Sequence, residues 1–79
     1  MPRLPRDCDY KKLLQVLKRY DYSINHTTGS HIRLHSEKYN HSLTIPAHKP
    51  IKVGTLNAIL NEICSVTDID KAALINKLQ

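Results

Sequence analysis

A chain of 79 residues holds one small domain with a thin core, which excludes a multidomain enzyme carrying its own cofactor fold. Lys and Arg outnumber Asp and Glu by 12 to 7 for a formal charge of +5, and the pI is near 9.4, so a polyanion or an acidic protein is the favoured partner. Cys8 and Cys64 are too few for a disulfide framework and no window approaches the ~20 apolar residues of a membrane span, so a soluble, cytoplasmic domain with reduced thiols is expected.

The basic run Met1 to Arg6 is not followed by an apolar region, so it does not read as a secretory signal. From Asp7 or Asp9, either a suitable N-cap, apolar side chains recur at Tyr10, Leu13, Leu14 and Leu17, the spacing of an amphipathic helix ending near Tyr20. Tyr22 to His26 then alternates apolar and polar residues, as does Ser30 to Ser36, and Thr27-Thr28-Gly29 between them reads as the loop of a hairpin. A two-residue loop at Thr28-Gly29 would set Ile24 opposite Arg33 and turn the apolar residues of the two strands to opposite faces. A three-residue loop with Gly29 in a left-handed bulge position pairs Ile24 with Ile32 and Tyr22 with Leu34, and is the expected register. It sets Asn25 opposite His31 and Ser23 opposite Arg33, with His31, Arg33 and His35 on the face away from the core.

After a turn at Glu37-Lys38-Tyr39-Asn40, His41 to Pro46 reads as a third strand burying Leu43 and Ile45 and ended by Pro46. Lys49 to Gly54 reads as a loop, and Thr55 as the N-cap of a helix carrying Leu56, Ile59, Leu60 and Ile63. Thr67-Asp68-Ile69-Asp70 signals a last short helix with Ala72, Ala73, Leu74, Ile75 and Leu78. The expected architecture is α+β in the order α-β-β-β-α, a two-layer sandwich with a three-stranded antiparallel sheet and a short C-terminal helix. It forms a single domain over residues 1–79, with a core over about 7–65 and the last helix over about 68–78.

Five histidines invite a metal hypothesis. On a strand, His31 and His35 stand about 13 Å apart, far beyond the reach of one ion with bonds near 2 Å. No cysteine or carboxylate sits at ligand spacing, so no metal and no other cofactor is expected. His26, His35 and His41 fit ordinary polar positions. His31 fits proton transfer best, because an imidazole both takes and gives a proton near neutrality, Gly29-Ser30 is a turn that permits close approach of a ligand, and Arg33 shares its face to receive a phosphate. With RNA, the 2′-hydroxyl supplies an internal nucleophile, so a base and a cation suffice. Lys49, Lys52 and the start of the Thr55 helix offer a second place for an anion, and Tyr39 in its turn a surface for an unpaired base.

Tyr20-Asp21-Tyr22, Gly29-Ser30-His31, Leu43-Thr44-Ile45-Pro46-Ala47-His48 and Gly54-Thr55-Leu56-Asn57-Ala58-Ile59-Leu60, in that order and spacing, resemble the HicA (YcfA-like) mRNA interferase toxins over nearly the whole chain. The resemblance implies a fold like that of double-stranded-RNA-binding domains (dsRBD-like), ribosome-independent cleavage of mRNA, and neutralisation by a HicB-like antitoxin; with the histidine spacing, the expected activity is metal-independent cleavage of single-stranded or messenger RNA. It assigns the catalytic histidine to His31, the motif turn to Gly29 and Ser30, and the start of the second core helix to Gly54 and Thr55. Arg33, Lys49, Lys52 and Asn25 are the expected RNA or phosphate contacts. Ile32 and Leu34 stand where members often carry a second histidine and an aromatic residue, and Asp21 where a glycine commonly ends the first helix. The alternative is a non-catalytic, dsRBD-like RNA-binding module.

Overall fold

Asp9 starts the first helix: its carboxylate accepts the Lys11 amide at 2.9 Å and opens α1 (Tyr10–Arg19), whose Leu13, Val16 and Leu17 are buried. The computed structural model describes residues 3–79; Met1 and Pro2 of the basic N-terminal run lie outside the described residues. Lys18 and Arg19 in the last turn oppose the negative end of the helix dipole. The chain then reverses through Asp21, which holds φ +71°, the left-handed conformation that glycine adopts without strain. The exposed Asp21 carboxylate meets Lys38 at 3.6 Å, a weak surface pair. Asp21→Gly is therefore expected to stabilise the fold by about 0.5–1 kcal/mol, read as a melting temperature a few degrees higher; a lower one would show that the ion pair outweighs the strain.

Three strands follow, β1 (Ser23–Thr28), β2 (His31–Ser36) and β3 (His41–Pro46), in one antiparallel sheet ordered β1-β2-β3. Along β2 the side chains alternate, with Ile32, Leu34 and Ser36 buried and His31 and Arg33 exposed, so the face expected to be open is open. β3 buries Leu43 and Ile45, as its pattern implies.

The hairpin register differs from expectation. Thr28 pairs directly with His31, leaving Gly29 and Ser30 as a two-residue loop. Gly29 carries φ +55° at its first central position, where a type II′ turn requires glycine. Continued without a break, that register would set Ile24 opposite His35 and turn it to the open face. One extra residue, Asn25, bulges out between Ile24 and His26 and restores the parity, so Ile24 pairs with Leu34 rather than Ile32. Asn25 is consequently not opposite His31, nor Ser23 opposite Arg33; Ser23 pairs with His35 and His26 with Arg33. Every residue of β1 is exposed. Ile24 is 45% exposed because it lies on an edge strand, whereas Tyr22 before it is buried.

α2 (Val53–Val66) begins earlier than expected: Lys52, not Thr55, is its N-cap, and Thr55 lies in the first turn. The buried Ile51, whose amide donates to the Cys8 carbonyl at 2.9 Å, ends the preceding loop against the core and leaves Lys52 free to start the helix. Leu56, Ile59, Leu60 and Ile63 of α2 are buried. α3 (Lys71–Leu78) is capped by Asp70, which accepts the Ala73 amide at 3.2 Å. Its Leu74, Ile75 and Leu78 join the same apolar cluster as α1, α2 and the sheet, so the last helix completes the core. The helices cover one face of the sheet, giving a two-layer α+β fold in the expected α-β-β-β-α order with α3 added at the end. Among the described residues no helix is long and apolar enough to cross a membrane.

Candidate active-site cleft

The β2–β3 pairing determines what surrounds His31. His31 pairs with Pro46, and one residue outward the Ala47 amide donates to the Ser30 carbonyl at 2.7 Å, extending the ladder past the ends of both strands. His48 therefore enters the same neighbourhood as His31 from a segment 17 residues further along the chain. His31, Thr44, Pro46, His48, Lys52 and Thr55 line one concave cleft of about 360 Å³, between the open face of the sheet and the first turn of α2.

Lys52 gives this cleft its charge, and the helix behind it adds to that charge. Among the described residues no side chain caps α2, and its first turn holds no acid. The first intrahelical bond runs from the Leu56 amide to the Lys52 carbonyl at 2.9 Å, so the amides of Val53, Gly54 and Thr55 have no carbonyl partner within the helix. Free amides, the positive end of the helix dipole and a lysine together suit an anion such as a phosphate. Arg33 stands beside the cleft on the same face of β2, with its Nη1 3.5 Å from the hydroxyl of Thr44, a residue of the cleft wall.

The five histidines divide by their partners. His26 Nε2 lies 2.6 Å from the Thr28 hydroxyl, and His35 Nδ1 lies 2.7 Å from the Ser42 hydroxyl. His41 bridges Tyr22 Oη at 2.8 Å and Glu62 Oε2 at 2.9 Å. A carboxylate only accepts, so His41 Nε2 carries the proton in that bridge, which ties the sheet to α2. Burial, then the neighbouring Tyr39, Glu62 and Cys64, push the Tyr22 phenol above its ordinary range. Among the described residues, His31 and His48 have no such partner, and both face the cleft. Among them too, no three His, Cys, Asp or Glu side chains cluster as metal ligands would.

Two expected contacts do not reach this cleft. Lys49 turns back toward α1, with Nζ 4.0 Å from Asp9 Oδ2 and 5.9 Å from the centre of the Tyr10 ring. Asn25, carried out of the ladder by its bulge, lines a separate concavity of about 390 Å³ with Asp21, Ser23, Ile24, His35, Glu37 and Lys38. Tyr39 stacks on Tyr22 with ring centroids 6.4 Å apart and its hydroxyl is 3.4 Å from Asp68 Oδ1, so its ring is already engaged. Residue reading missed His48 and Thr44 as members of the cleft, and it set Lys52 and the start of the Thr55 helix apart from His31 as a second anion site; the Pro46-Ala47-His48 segment had pointed to His48 only through the resemblance.

Both cysteines are free, and burial raises each thiol above its ordinary value, the opposite of a reactive cysteine. No curated protein and no solved structure matches the chain. A family model described as "HicA toxin of bacterial toxin-antitoxin" matches residues 10–63, from the start of α1 through most of α2. The matched span is more than half of the chain and contains every residue of the cleft, so the chain belongs to the HicA toxin family of bacterial toxin-antitoxin systems.

Proposed function

We propose that the chain is an endoribonuclease that cleaves mRNA in the cleft around His31. The observation that carries this reading is an exposed imidazole, unpartnered among the described residues, in a cleft that also holds Lys52 and the start of α2. RNA brings its own nucleophile, so the protein has to move protons and hold a phosphate. His31 transfers a proton at the 2′-hydroxyl or at the leaving oxygen. Lys52, the first-turn amides of α2 and Arg33 stabilise the negative charge that builds on the phosphorus oxygens. Gly29 and Ser30 form the tight turn that lets an RNA backbone approach His31. Lys49 and Asn25 are left out of this set because of where their side chains lie.

The proposed protein partner is a HicB-like antitoxin that covers the cleft, the proposed compartment is the cytoplasm, where mRNA is found, and no metal takes part. Purified protein is expected to cut a single-stranded mRNA fragment in the presence of EDTA. RNA that is bound and recovered intact would instead support the non-catalytic binding module, and cleavage lost on chelation would revive a metal mechanism. Lys52→Ala is expected to slow cleavage by about tenfold and to flatten its dependence on salt, because one phosphate contact is lost. Unchanged rates at all salt concentrations would remove Lys52 from the site.

A further inference from the structure

Resting on the endoribonuclease reading above, we infer that His48 is the second proton-transfer group of the cleft, acting opposite His31 on the same phosphodiester. Three observations carry it. The Ala47 amide to Ser30 carbonyl bond at 2.7 Å and the His31–Pro46 pairing bring the two histidine-bearing segments side by side. Both imidazoles line the one cleft that also holds Lys52 and Thr55. His26, His35 and His41 each have a side-chain partner, while His31 and His48 have none among the described residues.

Cleavage of an RNA strand through its 2′-hydroxyl needs two proton movements at two oxygens. The attacking 2′-oxygen loses its proton as its bond to phosphorus forms, and the departing 5′-oxygen gains one as its bond to phosphorus breaks. One neutral imidazole accepts the first proton and one imidazolium supplies the second, so the enzyme ends with its two protonation states exchanged. The products are a 2′,3′-cyclic phosphate and a 5′-hydroxyl, and no oxidant, metal or other reactant enters the balance. A single histidine would have to serve both oxygens, which lie on opposite sides of the phosphorus in an in-line displacement. Two imidazoles from two segments that meet beside an anion site serve one oxygen each.

The test compares two substrates at a cleavage site mapped with the wild-type protein. One is ordinary RNA; the other carries sulfur in place of the bridging 5′-oxygen, and its thiolate departs without needing a proton. His48→Ala and His31→Ala are each expected to lower cleavage of ordinary RNA by about 10²-fold or more. On the sulfur substrate one of the two variants, the one lacking the acid, is expected to recover to within about tenfold of the wild type, while the other stays impaired. His48 is exposed, so its variant should melt with the wild type, and His48→Gln provides the same comparison with the volume retained. His48→Ala cleaving ordinary RNA within about threefold of the wild type would overturn the inference, as would rescue of both variants or of neither. A wild-type protein that cuts no RNA would instead remove the endoribonuclease reading on which it rests.

Discussion

His31→Ala is expected to lower the rate of RNA cleavage by about 10²–10⁴-fold, with the loss in kcat rather than in RNA affinity. The side chain is exposed on the open face, and the backbone of residue 31 keeps its pairing with Thr28 and Pro46 whatever side chain it carries. The variant should therefore fold, with a stability within about 0.5 kcal/mol of the wild type. RNA binding should survive because Lys52, Arg33 and the first turn of α2 are untouched. This separates His31 from Lys52, whose removal weakens phosphate contact and salt dependence together. Single-turnover cleavage set beside a binding isotherm at the same salt measures both quantities. Loss of binding in proportion to loss of cleavage would reassign His31 to substrate binding.

Leu34→Ala is expected to have the largest effect on stability, a loss of about 2–5 kcal/mol. Leu34 is fully buried in the central strand and belongs to the cluster that α1, α2 and α3 share. It stands between Arg33 and His35 and pairs with Ile24 on one side and Leu43 on the other. An alanine there removes side-chain contacts with both layers and leaves a cavity that a three-stranded sheet cannot close without shifting β2. For a domain of this length the whole stability is roughly 4–12 kcal/mol, so the melting temperature should fall by about 10–25 °C. Calorimetry or a thermal melt followed by circular dichroism measures it; a fall of less than about 4 °C would mean that the core is not organised around this strand. Because β2 also carries His31, cleavage by this variant should fail at a lower temperature than in the wild type while its low-temperature rate is preserved.

Much of this fold is legible along the chain because its boundaries rest on local chemistry. Asp9 and Asp70 cap their helices with their own carboxylates, and Pro46 is the last residue of β3, at a pair where β2 asks for no donor. The strict alternation of β2 settles which face His31 takes, and the structure agrees. The hairpin register is another matter, since a one-residue difference in loop length and one bulge each reverse parity, and two such changes together leave the apolar pattern intact. Ile24 and Asn25 therefore carry no local sign of where they lie.

The start of α2 was hidden for a related reason. Thr55 is a good cap by type, yet burial of Ile51 fixes the chain so that Lys52 occupies the cap position. Lys49 has the charge of a phosphate contact and the wrong neighbours, Asp9 and Tyr10, which only tertiary packing brings to it. His48 lies outside any regular element, so no periodicity gives it a face. Its place becomes visible only through the backbone bond between Ala47 and Ser30.

The most direct measurement is inducible expression of the wild-type and His31→Ala chains in a bacterial host, with the 5′ ends of cellular mRNA mapped before and after induction. The wild type is expected to arrest growth and to produce new internal mRNA ends, the variant to do neither while accumulating as folded protein. New ends at the same positions and equal growth arrest with His31→Ala would contradict the assignment of cleavage to this cleft.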